Sequence, residues 1–500
     1  MKKFLLLLLV VAALLGVHRY QLALAANQKP ASAANSAEQE ARIARIENGL
    51  LPAVVIKGQA APRMTVAERM KHYHVPGVSV AFLDHGQIAW TRTYGFADVS
   101  AKTPVTPETL FQAASISKPV SALAMLKLVQ DGKLSLDEDV NVKLRAWKVP
   151  ENEFTKEQKV TLRRIVSHSA GLTVHGFPGY ASDEAVPTIV QVLNGEKPAN
   201  TEPIRVDTVP GTLWRYSGGG YVVMQLLFTE VTGKPFPQIL YDLVLQPAGM
   251  THSTYEQPLP KSLAGTAATP YRSGGEPVKG GPHTYPEMAP AGLWTTPSDL
   301  ARLAIEVQNE YAGKSSKILS QEMMKQMLTR QKGDTGLGFG LQNSGAQLLF
   351  GHGGANEGYR CDLEAYAESG QGIAIMTNSD SGGSVASEYL RAVAKEYNWP
   401  DFQPKERTLG KADPALYPAY AGTYEITGMG KLTVSTKDGK LFILAEPLGP
   451  DPQELFPESE SQFFVLSNEV TFMFEKDEKG IVSKLKIKAG SQPFEAKKVS

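Results

Sequence analysis

Apolar and polar positions along this 500-residue chain predict two architectures in series. Residues 78–84 and 87–93 are apolar runs joined by His85-Gly86, the signature of a β-hairpin. Before them, residues 38–51 and 65–73 carry apolar positions at helical spacing, the second run broken ahead of Pro76. Residues 111–132, FQAASISKPVSALAMLKLVQDG, read as an extended stretch feeding a helix. Val120, Leu123, Ala124, Leu128 and Val129 would share its buried face, and Gly132 would end it. Residues 160–168 predict a short helix running into a Ser/Gly loop. Residues 221–231 predict an apolar helix between a glycine run and Gly233, and 238–245 continue helical. Residues 257–291 are rich in Pro and Gly without periodicity, a long loop of the kind that is usually functional or mobile. Ser298 is expected to cap a helix through Val307. Glycines alternate with apolar residues from 337, leading to strands at 359–366 and 372–378 and an amphipathic helix at 385–399.

Strands at both ends with helices between them predict an α/β (α+β) domain whose antiparallel sheet draws on both ends of the stretch. Beyond it only strand signals remain. Asp438-Gly439 between two apolar runs is a strong hairpin turn. The expected division is a signal peptide at 1–25, an N-terminal extension at 26–63 and a catalytic domain at 64–400. A linker at 401–413 and a small antiparallel β-barrel at 414–500 complete it. Within the extension, residues 27–37 read as a flexible leader.

Charge narrows the function classes. The chain has 51 basic and 51 acidic residues with no long single-sign run, which gives no support to nucleic-acid or anionic-lipid partners. Lys2 and Lys3, the apolar run 4–17 and Ala23-Leu24-Ala25 compose a cleavable secretory signal, so the mature chain is expected to be secreted or periplasmic without stable membrane insertion. A retained N-terminal anchor is the competing reading. The single Cys361 allows no internal disulfide and reads as a small buried residue in a strand. The histidines show no ligand spacing, so no metal site is expected. Neither a phosphate-binding Gly-rich loop nor a Gly-x-Ser-x-Gly elbow is present, and no cofactor is implied.

The candidate chemistry begins at Ser115. On a helix, Ser115 and Lys118 share a face. A lysine with a lowered pKa can take the serine proton, and a helix N-terminus suits a developing oxyanion. A second Ser-x-x-Lys, at Ser483 to Lys486, lies in a strand-like SKLKIK, where the two residues face opposite sides. Tyr216, at a turn entering the 221–231 helix, is the best second titratable group, a phenol that a lysine ammonium could push toward phenolate. His352 lies among glycines that allow close approach of a ligand to backbone. His168, flanked by Ser167 and Ser169, reads as structural.

SISK at Ser115, YSG at Tyr216 and HGG at His352 occur in an order that resembles the serine β-lactamase and penicillin-binding-protein superfamily. TLFQAASISK, VTLRRIVSHSAGL, PGTLWRYSGGGY and AGLWTTPSDLARL agree with it. The likeness is to the branch of class C β-lactamases, D-alanyl-D-alanine carboxypeptidases and esterases, over about residues 64–399. It implies a sheet lobe and an all-helical lobe with the site between them. It also implies an acyl-enzyme at Ser115, proton movement through Lys118 and Tyr216, and an oxyanion held by the backbone N–H groups of Ser115 and Ala355. His352, Gly353, Gly354 and Gly218 are the implied substrate-binding positions. His352 stands where many relatives carry lysine, and Gly218 where many carry asparagine. Both departures favour a small ester, amide or D-amino-acid peptide over efficient β-lactam hydrolysis. A D-alanyl-D-alanine carboxypeptidase or D-aminopeptidase, and a non-catalytic wall-peptide receptor, stand as alternatives. YAGTYE at Tyr420 and LFPES at Leu455 resemble the small barrel appended to many such hydrolases.

Overall fold

The computed structural model describes residues 33–427, 430–445, 448–490 and 492–500; the signal segment expected at 1–25 lies outside them. Two helices, α1 (Ala33–Glu47) and α2 (Val66–His72), open the described chain. α1 begins inside the stretch read as a flexible leader, so that reading is corrected for residues 33–37. Thr65 caps α2 through a reciprocal capping box with Glu68.

The centre is a seven-stranded antiparallel sheet. Its strands are β1 (Gly77–Asp84), β2 (Gln87–Asp98), β3 (Thr103–Pro104), β4 (Gly340–Gln342), β5 (Leu349–Asn356), β6 (Tyr359–Tyr366) and β7 (Gly372–Thr377). Their order is β3-β2-β1-β7-β6-β5-β4, so β1 and β7, from the two ends of the domain, pair at its middle. Alternation then divides the core into two layers. Ala81, Leu83, Ala374 and Met376 face one cluster, with helices α3 (Ser117–Gln130), α5 (Gly218–Thr232) and α7 (Pro297–Tyr311). Val80, Phe82, Ile373 and Ile375 face the other, with α1, α2 and α8 (Gly382–Glu396). Between α3 and α7 come α4 (Leu162–Val166), α5 and the short α6 (Met288–Ala291) of the helical lobe.

Three local expectations change. α3 is buried nearly all round, from Ser117 to Leu126, because it is the helix on which the others pack. α5 begins at Gly218, so the glycines form its first turn; a Cβ at Gly219 would lie 2.6 Å from the Thr173 carbonyl oxygen. α7 is capped by Thr296, whose side chain accepts the Asp299 N–H, with Pro297 as first helical residue; Ser298 lies inside the helix.

In the stretch read as a linker, Lys405–Arg407 pairs in parallel with Val54–Ile56. The chain then forms a closed eight-stranded barrel: β8 (Gly422–Ile426), β9 (Gly430–Lys437), β10 (Lys440–Leu444), β11 (Gln453–Pro457), β12 (Gln462–Phe464), β13 (Val470–Lys476), β14 (Val482–Ala489) and β15 (Gln492–Lys498). β8 pairs with β15 to close it, and Tyr424, Leu441, Phe463, Phe474 and Leu485 fill its core. Among the described residues, no helix is long and apolar enough to cross a membrane.

Candidate active site

Phe111–Gln112 pairs with Trp294–Thr295 and carries the chain into a 3-10 turn, Ala114–Ile116, directly ahead of α3. Ala114 is fully buried at φ +49°, a left-handed conformation that disfavours a side chain and is held by its surroundings. Ser115 follows and lines a cavity of about 800 Å³. Lys118, 2% exposed, stands one turn along with Nζ 2.9 Å from Ser115 Oγ, and it donates to the Pro290 carbonyl of α6 at 3.0 Å. Burial lowers its pKa to about 7. Near neutrality an appreciable fraction is free amine, able to receive the Ser115 proton.

Tyr216 precedes the cap of α5. Ser217 Oγ accepts the Gly220 N–H at 3.1 Å and donates to the Thr173 carbonyl at 2.8 Å, which fixes the turn. Lys118 Nζ lies 4.8 Å from the Tyr216 ring centroid. Burial pushes the phenol up to about 12, opposed by a hydrogen bond to Ser115. The expected drift toward phenolate is therefore reversed. A buried ammonium is itself destabilised, so near neutrality an appreciable fraction of the pair is amine and phenol, the lysine then suited to accept a proton and the tyrosine to donate one.

The opposite wall is β5. β4 pairs only with residues 349–351, so β5 from His352 to Asn356 presents an unpaired edge beside Ser115. Gly354 permits this approach: a Cβ there would lie 2.4 Å from both the Ala113 carbonyl oxygen and Cys361 Sγ. Gly353, Gly354 and Ala355 line the same cavity as Ser115. His352 Nδ1 is 2.6 Å from the Gly353 carbonyl oxygen, the contact of an Nδ1–H tautomer with Nε2 left as acceptor. Burial first, and the Lys118 charge second, bring its pKa down to about 4, so it carries no charge at neutral pH. Gly218 lies against Phe177 and the His175 carbonyl, which occupy the space a side chain would need. Cys361 is buried with Sγ 3.1 Å from the Ala113 carbonyl oxygen, and burial raises its thiol pKa, as suits a packed wall residue.

The structure thus brings together Ser115, Lys118, Tyr216, His352, Gly353, Gly354 and Ala355, whereas Gly218 is buried against Phe177 and lines neither cavity. It adds residues that spacing alone did not single out. His168 packs on Tyr216 with ring centroids 4.3 Å apart, and His175 lies 4.8 Å away. Trp214, 47% exposed and bonded to Thr335 Oγ1 at 2.8 Å, lines both the first cavity and a second of about 590 Å³. Asp362 and Glu364 of β6 lie on the opposite sheet face from Cys361 and line the two cavities; burial raises the pKa of both. No group of three potential metal ligands occurs among the described residues.

The chain is similar to known proteins over most of its length. Residues 63–397 match the family model described as Beta-lactamase, and residues 406–498 match one described as a domain of unknown function (DUF3471). Penicillin-binding protein 4* of Bacillus subtilis is 24% identical over 451 residues, covering 83% of this chain and 93% of the relative. Protein flp of Staphylococcus aureus (strain N315) is 28% identical over 228 residues, 45% of this chain and 42% of the relative. The octameric penicillin-binding protein homologue from Pyrococcus abyssi shares the fold, with a TM-score of 0.58 at 22% identity over 86% of this chain and 98% of that one.

Proposed function

This chain belongs to the beta-lactamase family of serine hydrolases, and we propose that it is an exported hydrolase that forms an acyl-enzyme at Ser115 on small esters or amides lacking a carboxylate. The observation that carries the reading is the 2.9 Å contact between Ser115 Oγ and a lysine whose pKa burial has brought to about 7.

The steps follow from the resting protonation. Ser115 Oγ attacks the carbonyl carbon as its proton passes to Lys118. The backbone N–H groups of Ser115 and Ala355 receive the oxyanion. As the bond to the leaving group breaks, Tyr216 gives that group its proton and takes one back from the Lys118 ammonium. Water then attacks the acyl-enzyme through the same groups, releasing the acid and restoring Ser115. No cofactor enters the scheme.

The lining supports the substrate class. Of the cations on the two cavities, Arg215 is paired with Asp207 and Arg360 with Asp380. His352 is neutral, and Asp362 and Glu364 are carboxyl groups. Neither arginine is free of an ion pair, so among the lining residues the exposed His175 ring is what a substrate carboxylate could turn to, which disfavours a carboxypeptidase and an efficient β-lactamase. A cavity near 800 Å³ suits a small organic group. The lysine and apolar run at the N-terminus support export.

The test is intact-protein mass on residues 26–500 mixed with a short-chain nitrophenyl ester, an uncharged D-amino-acid amide, a penicillin and a D-Ala-D-Ala peptide. A transient adduct with steady release from the first two, absent in Ser115→Ala and Lys118→Ala, is expected. A stable adduct without release would establish a receptor instead. Turnover confined to the carboxylate-bearing compounds would overturn the substrate class.

A further inference from the structure

His168 is not needed in the proton scheme, yet it is built around Tyr216. It follows α4 in a left-handed conformation, φ +56°, unusual for a residue with a side chain. That conformation aims both its carbonyl and its ring at the segment 215–217. The carbonyl accepts the Arg215 N–H at 2.8 Å, and Nδ1 accepts the Ser217 N–H at 3.2 Å. The imidazole lies against the intervening Tyr216 ring at 4.3 Å and 31°. One buried residue, 3% exposed, thus holds the residue before Tyr216 by its backbone carbonyl, and the residue after it and the Tyr216 ring by its side chain.

The same contacts set its protonation. Because Nδ1 accepts an N–H, the single proton of the ring sits on Nε2, which meets no hydrogen-bond partner among the described residues. An imidazolium would set a second N–H against that of Ser217. The groups facing His168 are Lys118 of α3, Tyr221 of α5, Trp214 and His175 of the loops, and His352 of β5. None is a carboxylate that could hold a charged ring. Burial, then Lys118, keeps its pKa well down, in agreement with the geometry.

We infer that His168 is a positioning residue: a neutral Nε2–H imidazole that brackets Tyr216 so that its hydroxyl stays on the line between Ser115 and the departing group. The inference rests on the reading of Tyr216 as proton donor. It also explains why a histidine occupies a site where its second nitrogen is left unsatisfied. The acceptor at Nδ1 and the flat ring are both used, and few other side chains supply the two together.

A donor to the leaving group matters most when that group leaves poorly. The experiment therefore compares a nitrophenyl ester with the matching alkyl ester in wild type, Tyr216→Phe, His168→Phe and His168→Asn, reading kcat and KM for each. His168→Phe keeps a ring and loses the acceptor. His168→Asn keeps an acceptor, tolerates the left-handed conformation and loses the ring. His168→Phe is expected to lose about 100-fold in kcat on the alkyl ester and less than about fivefold on the nitrophenyl ester, with KM within about twofold. His168→Asn should fall between it and wild type with the same dependence, and it carries the comparison if the phenylalanine variant does not fold. Equal losses on both esters, or none, in the His168 variants while Tyr216→Phe discriminates would overturn the role of His168. If Tyr216→Phe itself does not discriminate, the reading of Tyr216 fails, and the inference falls with it.

Discussion

A Cβ on Gly218 would lie 2.9 Å from the Phe177 ring and 3.1 Å from the His175 carbonyl oxygen. The space that an asparagine at this position would need is therefore filled from the neighbouring loop. Gly218→Asn should not create β-lactam hydrolysis; it should displace Phe177 and destabilise by on the order of 1 kcal/mol. Adding Phe177→Ala should recover part of that loss, a non-additivity that thermal melting of both single variants and the double variant would reveal. Unchanged melting in Gly218→Asn with a gain of cephalosporin hydrolysis would show that the space is open.

The glycines of β5 should behave unequally. A Cβ on Gly354 meets Ala113 and Cys361 at 2.4 Å, whereas one on Gly353 comes no closer than 3.6 Å to Asp362. Gly354→Ala should push the β5 edge away from Ser115, costing about 2 kcal/mol of stability and about 100-fold in kcat. Gly353→Ala should leave stability within about 0.5 kcal/mol. Denaturant titration and steady-state kinetics of the pair decide it; equal penalties would mean the two positions pack alike.

What made the architecture readable in the chain was local. The hairpin at His85-Gly86 follows from two residues at positive φ between apolar runs, and both are found there at +52° and +69°. The contact of Ser115 with Lys118 follows from helical spacing. The protonation of Tyr216 was not legible, because it depends on burial by residues far apart in sequence. His168 reads from the sequence as structural, and its place beside Tyr216 is not legible there for the same reason. Its contacts to Arg215, Tyr216 and Ser217 cross almost fifty positions, and a lone histidine between serines carries no sign of them. The cap of α7 was misplaced by two residues because Thr296, Ser298 and Asp299 are all good capping types; Pro297, favoured at a first helical position, was the signal for Thr296.

Lys118 links activity to pH and to stability. If the free amine is the base, log(kcat/KM) should rise by one unit per pH unit up to about 7 and then level. Lys118→Arg, permanently charged, should be inactive at every pH. Its folded pKa lies below the unfolded value near 10.5, so the unfolded chain binds more protons between about 7 and 10.5. Stability from this group therefore rises with pH across that window. Lys118→Met should be inactive and melt higher than wild type at pH 7. A lower melting temperature would mean that the contacts to Ser115 and Pro290 outweigh the cost of burying the amine.

Glu287 titrates with the opposite sign. It begins the turn into α6, whose Pro290 carbonyl holds Lys118. It is wholly buried, neither carboxyl oxygen has a side-chain hydrogen-bond partner among the described residues, and burial, opposed by its own backbone N–H, raises its pKa to about 8. The folded pKa exceeds the unfolded value near 4.5, so the folded state holds the proton longer. The stability it permits is complete below about pH 4.5, falls by on the order of 1.4 kcal/mol per pH unit, and is lost once the pH passes about 8. Glu287→Gln keeps the shape and removes the ionisation. It should match wild type near pH 4.5 and be the more stable by a few kcal/mol at pH 8 to 9. Comparing the two proteins at each pH cancels the contrary slope from Lys118. Parallel stability curves across this range would mean that Glu287 ionises without cost, against the burial that raises its pKa.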